Sequence, residues 1–397
     1  MMVRNMMARS LAALLLLTTA VVALAAERPP VRLGLTASET GELKELSQEF
    51  ISGVKFWADD LVDRGGNRIE LVMYDDESNP ERAAELYERL ITEDQVDLLI
   101  GPFSTTLAMA VAPVAEKHNF PMVVEATAPV LYDQGYRNVF GIYTPADQNM
   151  SKVMEMAVAN GLVSVAILHQ ESDFPAAVAA GVRDQAAGKG LTVVFDGSYP
   201  VGAENLDGVV AELSRTSPDL IIVGAYLDDS VQFVQSLKKT GYAPKMLAIS
   251  GAPSVAEFGD RLGSDADGVI ATTQWMRDGR IPGSFDFGYR YRERYGRYPS
   301  YNAAGGYAAG QILEAAARLA GVSIEMEPEA LRNGIREQLA QMKFQSLLGN
   351  YRVEATGEQS GNPIYVIQWQ FPYRSLIAPE EIARWTLKFP YPDWNSR

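Results

Sequence analysis

The stretch from Val96 to Pro129, VDLLIGPFSTTLAMAVAPVAEKHNFPMVVEATAP, constrains the fold more than any other. A short apolar run at 98–100 stops at Gly101 and Pro102, and a polar loop follows at 104–106. An apolar stripe at helical spacing then covers 107–115, and a second apolar run covers 121–124. This is the pattern of a strand, a helix and a second strand, with hydroxyls just past the first strand and at the helix start. Open parallel sheets bind ligands beyond the carboxyl ends of their strands. A helix N-terminus there presents free N–H groups and a positive dipole end to an anion. Ser104 and Thr105 are therefore candidates for holding a carboxylate or a similar acceptor. For Ser104 the alternative is a helix cap and nothing more.

The same alternation runs through the chain. Strands are expected at 31–35 and 69–74, with helices at 50–61 and 80–92. The pattern restarts with helices at 150–160, 175–188, 206–214 and 231–240, and with strands at 163–169, 191–199, 220–226, 246–250 and 268–274. Two α/β halves, each a doubly wound and mostly parallel sheet flanked by helices, follow from this order. They join near residues 143–147. An aromatic, charged helix at 285–296 and an Ala-rich one at 301–320 belong to neither half by pattern alone. A late strand is expected at 364–369. The aromatic segment 372–397 reads as irregular chain packed along the surface, or else as a partner-binding tail.

At the N-terminus, Arg4 and Arg9 precede the apolar run LAALLLLTTAVVALA, which ends in the A-x-A pattern of Ala23 and Ala25. The run is shorter than the ~20 residues of a comfortable membrane span. It predicts a signal peptide over 1–25, cleaved on export to the periplasm. With no cysteine in the chain, neither a lipid anchor nor a disulfide is available. A net charge of −15 argues against nucleic acid, which needs a basic surface.

Motifs for chemistry are missing. The chain has two histidines, His118 and His169, and no pair at metal-ligand spacing. It has no G-x-S-x-G elbow, no P-loop and no G-x-G-x-x-G after the first strand. The cluster Asp75, Asp76 and Glu77 lacks the spacing and glycine of an EF-hand and reads as a solvated loop. The expectation is a binding protein without cofactor or metal, and not an enzyme.

With these pieces in order, the chain resembles the type I periplasmic binding proteins, and within them the Leu/Ile/Val-binding group that serves ABC importers. The segments that carry the resemblance are RGGN, IELVMYDDESNP, LLIGPFSTT, FPMVVEATAP, NVFGIYTPADQN, VAILHQESDF, PDLIIVGAY, GYAPKMLAISG and YVIQW, spread over residues 30–369. The resemblance implies two lobes joined by three hinge crossovers and closing on a ligand. Lobe 1 would take residues 26–145 and 275–345, lobe 2 residues 146–274 and 346–372, and a C-terminal extension 373–397. It implies delivery of a small amino acid-like ligand, bearing a carboxylate or an amide, by a monomer to an inner-membrane permease and its ATPase. The alternative is a ligand sensor reporting to a membrane receptor without transport.

Carried over by motif, Ser104 and Thr105 would hold the ligand carboxylate, and Thr127 with the Glu125–Ala126 backbone would face its polar end. Tyr226 would cap the site, and Tyr301 would join the side-chain pocket. Phe174 stands where the family often has tyrosine, and Gly141 replaces a common arginine. The loop SGAPS after MLAI lacks the acid that pairs with the ligand ammonium in amino-acid binders of the group. Glu125 stands where a small residue is usual. It replaces that acid, or excludes α-amino acids, or is a hydrogen-bonded structural residue with no part in the ligand site.

Overall fold

The computed structural model describes residues 29–277 and 279–396; the expected signal peptide at 1–25 lies outside the described residues. The first half runs β1 (Val31–Ala37), α1 (Lys44–Asp63), β2 (Ile69–Asp75), α2 (Pro80–Thr92), β3 (Leu98–Phe103), α3 (Thr105–Lys117), β4 (Met122–Glu125), α4 (Pro129–Tyr132) and β5 (Val139–Gly141). Its strands lie in the order β2-β1-β3-β4-β5 and pair in parallel. The second half runs α5 (Ser151–Ala159), β6 (Ser164–Gln170), α6 (Asp173–Ala186), β7 (Thr192–Tyr199), α7 (Asp207–Arg215), β8 (Leu220–Gly224), α8 (Leu227–Thr240), β9 (Met246–Ile249), α9 (Ala256–Leu262) and β10 (Ile270–Thr273).

The chain then returns to the first sheet with α10 (Ser284–Tyr295), α11 (Tyr301–Ala320), α12 (Pro328–Gln341) and the hairpin β11 (Phe344–Ser346) and β12 (Gly349–Tyr351). It finishes in the second with β13 (Tyr365–Gln370) and β14 (Tyr373–Ala378), giving the order β14-β13-β10-β9-β8-β6-β7. Strands β6, β8 and β9 carry the uninterrupted apolar runs VAIL, LIIVG and MLAI and are buried along those runs, as a sheet covered on both faces requires. Helix α2 starts as its sequence dictates, with Pro80 in the first turn and the Asn79 side chain accepting from the Arg82 N–H at 2.8 Å.

Helix α11 lies on α1 through glycines. A Cβ on Gly53 would sit 1.9 Å from the Ala303 carbonyl oxygen, and one on Gly306 would sit 1.9 Å from that of Phe50. The two backbones therefore touch directly. The contact continues into an aromatic core in which Phe287 and Tyr307 have ring centroids 4.9 Å apart. At its start α11 is capped by Ser300, whose hydroxyl donates to Glu49 of α1 at 2.9 Å. This fixes the next residue, Tyr301, at the edge of the cleft.

Three crossings link the halves, and they lie side by side. The Thr144 N–H donates to the Gln274 side-chain oxygen at 3.2 Å, and the Gln274 amide donates back to the Thr144 carbonyl at 3.2 Å. The Thr144 hydroxyl donates to the Asn362 carbonyl at 3.0 Å, and the Asn362 amide to that of Ile142 at 2.6 Å. A bend at one crossing is thereby shared by all three, as a hinge between rigid lobes needs.

Several expectations shift. Helix α1 begins at Lys44, six residues before the predicted start at 50. The hairpin packs on the first lobe: the Tyr351 hydroxyl donates to the Leu339 carbonyl at 2.9 Å, and the Gly141 N–H to that of Gly357 at 2.9 Å. Residues 346–357 thus sit with lobe 1, where the sequence placed them in lobe 2. The extension expected at 373–397 opens with β14, an edge strand of the second sheet. Beyond it the tail does lie on the surface, with Tyr391 buried and the Trp394 indole donating to the Tyr242 carbonyl at 2.7 Å. Asp76 is not solvated: it is fully buried and accepts from Thr36 and Ser38, both at 2.6 Å. No helix among the described residues is long and apolar enough to cross a membrane.

Candidate functional site

The carboxyl ends of both sheets face one cleft, whose space not filled by atoms is about 550 Å³, including the part open to solvent. Lobe 1 lines it with Ser104, Thr105, Glu125, Thr127 and Tyr301, and lobe 2 with Phe174 and Tyr226. Seven of the eight residues expected from sequence are therefore brought together. Ala126 is the exception: it is fully buried, and its carbonyl accepts from the Tyr132 hydroxyl at 2.6 Å.

Ser104 is both cap and wall. Its hydroxyl accepts from the Leu107 N–H at 3.3 Å, and its backbone sits at φ 90°, unusual for a residue with a side chain. Such outliers gather where a ligand site needs them. The Thr105 hydroxyl oxygen accepts from the N–H groups of Thr127 at 3.2 Å and Ala128 at 3.3 Å. Both lone pairs are then engaged, and its proton is left to donate into the cleft. Thr105 thereby joins the start of α3 to the loop after β4.

Glu125 ends β4 directly beside Phe103 of β3. Neither of its oxygens has a hydrogen-bond partner among the described residues. Burial pushes its carboxyl well above the ordinary range, and the neighbouring Tyr143 hydroxyl, which itself donates to the Tyr301 carbonyl at 2.9 Å, pulls more weakly the other way. A buried carboxylate without a donor is expensive. Among the described residues that line the cleft, it is also the single acidic or basic side chain. The apolar wall is aromatic: Phe174 and Tyr226 have ring centroids 5.8 Å apart. Gly251, in the loop that lacks an acid, leaves room for the Tyr301 hydroxyl, which would lie 3.1 Å from a Cβ there.

Sequence reasoning missed Phe103, Tyr143, Asn149, Thr272, Thr273 and Gln274 on the cleft wall. Thr272 and Thr273 end β10 and Gln274 opens a crossing, so the carboxyl-end rule applied to the strand at 268–274 would have found them.

At the cleft mouth the lobes touch through polar groups. The Gln170 amide of lobe 2 donates to Glu42 of lobe 1 at 2.7 Å and to Asp229 of α8 at 2.5 Å. Burial, followed by the Glu42 charge, raises the Asp229 carboxyl to about 6, while hydrogen bonds from Tyr199 and Gln170 oppose the rise. A raised carboxyl stabilises this arrangement fully below its ordinary value near 4, and that stabilisation is lost as pH rises through about 6. Asp229→Asn is therefore expected to raise the melting temperature at pH 8 and to leave it unchanged at pH 4. Calorimetric scans at the two values check this.

Two lobes, a hinge of three crossings and one polar-aromatic cleft at the strand ends define a protein that captures a small solute by closing on it. The chain belongs to the periplasmic binding protein family, whose model matches residues 30–373. That family binds solutes, is periplasmic and is not a family of enzymes. Leu/Ile/Val-binding protein homolog 8 of Brucella abortus is 27% identical over 287 residues, which are 68% of this chain and 71% of that one. Among solved structures, a branched-chain amino acid transporter substrate-binding protein of Streptococcus pneumoniae in complex with isoleucine superposes with a TM-score of 0.78 at 17% identity, over 88% of this chain and 99% of that one. An ABC-transporter solute-binding protein of Rhodopseudomonas palustris in complex with benzoate gives a TM-score of 0.77 at 19% identity, over 92% and 97%.

Proposed function

We propose that this chain captures a small amino acid-like ligand in the periplasm, after cleavage of residues 1–25, and delivers it as a monomer to an ABC permease. The observation that carries the ligand class is Glu125, a buried carboxyl group without a hydrogen-bond partner and the single acidic or basic side chain among the described residues that line the cleft. Strands β3 and β4 are neighbours, and neighbouring strands are about 4.8 Å apart. A ligand carboxylate or amide at Ser104, Thr105 and the start of α3 thus places an adjacent ammonium against Glu125 on the next strand. Phe174 and Tyr226 receive the apolar remainder. The acid missing from the loop at Gly251 is in this reading supplied from the opposite lobe. The partners follow from the relatives, which serve ABC importers.

The test is a thermal-shift screen of protein unfolded and refolded to strip bound ligand, against aliphatic amino acids, their amides, and the same skeletons without an amine. Binding to the native state must raise the melting temperature. Shifts confined to amine-bearing members support the reading. Shifts confined to members lacking the amine overturn it.

A further inference from the structure

The hinge end of the ligand cleft is polar, whereas Phe174 and Tyr226 make the rest of its lobe 2 wall aromatic. Asn149, Thr272, Thr273 and Gln274 line that end, and all four are more than nine-tenths buried. Polar groups so enclosed are costly unless each finds a partner.

Three of the four side chains are spent on the protein itself. The Thr273 hydroxyl donates to the Trp275 carbonyl at 3.0 Å. Both ends of the Gln274 amide are taken by Thr144. The Thr272 hydroxyl donates to Asn149 Oδ1. That last bond sets which way round the Asn149 amide lies, and it leaves Nδ2 as the other arm. Among the described residues nothing accepts from Nδ2, although Asn149 is only 6% exposed and lines the cleft. An amide nitrogen carries two N–H donors. The two threonine hydroxyls have given their protons away and keep lone pairs with which to accept.

This end of the cleft therefore sets an unspent donor beside acceptors. A carboxamide is its complement, since its carbonyl accepts and its NH2 donates. A second carboxylate on the ligand fits poorly, because no basic side chain is among the described lining residues to pair with it. A side chain ending in methyl groups would cover the Asn149 donors and leave them unmade.

We infer that Asn149 is a specificity-determining residue, that its Nδ2 donates to a neutral carbonyl at the tip of the ligand's side chain, and that the ligand is a carboxamide-bearing amino acid in preference to an aliphatic one. This rests on the reading of the cleft given above, in which lobe 1 takes the carboxylate and the ammonium. Lobe 2 then reads the side chain. Thr272 is a positioning residue, acting on the ligand only through the amide it orients.

The experiment is calorimetric titration of the refolded mature protein with two pairs of near-isosteric probes, asparagine against leucine and glutamine against homoleucine. In at least one pair, wild type is expected to bind the carboxamide about tenfold or more tighter than the hydrocarbon. Asn149→Leu is expected to abolish that preference while binding the hydrocarbon within about threefold of wild type. A merely structural defect would weaken both members alike and leave their ratio unchanged. If Asn149→Leu does not fold, Thr272→Val, which lets the amide turn, is expected to lower the ratio in the same direction. A wild-type preference for the hydrocarbon, or a wild-type ratio in the variants, would overturn the inference and leave the amino acid-like ligand standing. Binding of no member, with thermal shifts only from skeletons lacking the amine, would overturn both.

Discussion

Glu125→Gln is expected to weaken binding of an amine-bearing ligand by at least a hundredfold. Removing one member of a buried charge pair costs about 3–5 kcal/mol, and every 1.4 kcal/mol is about tenfold in affinity. The pH dependence carries more information than the loss. Burial holds the Glu125 carboxyl well above its ordinary range. An arriving ammonium reverses that preference, so binding releases a proton and wild-type affinity rises with pH until the ligand amine itself titrates. The glutamine variant has no proton to release and gives a flat profile. Calorimetry in buffers of different ionisation enthalpy counts the proton directly. An affinity that falls with rising pH, with the glutamine variant binding as wild type does, would mean that Glu125 acts as a neutral donor to a ligand without an amine. Stability moves in the opposite direction. A raised carboxyl contributes fully at low pH, and its contribution disappears as pH rises through the shifted value. The ligand-free glutamine variant is therefore expected to melt higher than wild type at pH 8, with the gap narrowing toward pH 4.

Gly306→Ala is expected to destabilise the protein by about 3 kcal/mol or more, and to cost ligand affinity as well. The new methyl would lie 1.9 Å from the Phe50 carbonyl oxygen, where the obstacle is backbone and no rotamer change relieves it. Helix α11 must then lift from α1, and the Ser300 to Glu49 hydrogen bond at its start goes with it. Tyr301, the next residue, is displaced from the cleft wall. Gly208→Ala is the control, since nothing lies within 4 Å of a Cβ there and α7 surrounds it. That change is expected to be neutral or slightly stabilising, as alanine is favoured in helices. Thermal melts of both variants check the contrast. Equal melts would show that the helices can separate without cost.

The alternation of strands and helices was legible because each sheet is covered on both faces, so its strands read as unbroken apolar runs such as LIIVG, 220–224. The hydroxyls of Ser104 and Thr105 were legible for a related reason, since they follow such a run and open a helix. The missing parts have physical causes. Strand β5 has only three residues, as do β11 and β12, which is too short for a periodic signal. In α12 the buried positions Leu331, Ile335 and Leu339 do recur every four residues, but polar and charged side chains fill the rest of the helix. Strand β14 begins in a segment rich in aromatic residues and proline, which disguised it as irregular tail. Glu125 was visible as a departure from its family. Its burial beside Tyr143, whose hydroxyl donates to the Tyr301 carbonyl 158 residues along the chain, is something no local pattern reports.

The order in which the chain visits its two sheets sets a timetable for assembly. The first core needs Phe287, Tyr307 and Tyr351 from the late return, and the second sheet needs β13 and β14, which end at Ala378. The face of the first sheet that Phe287, Tyr307 and Tyr351 cover cannot be closed on a growing chain until they have been made. Contacts between partners so far apart in sequence also form slowly, since loop closure precedes any gain from packing. That face of the first sheet therefore stays uncovered through most of the chain's synthesis, although the strands it belongs to are made first.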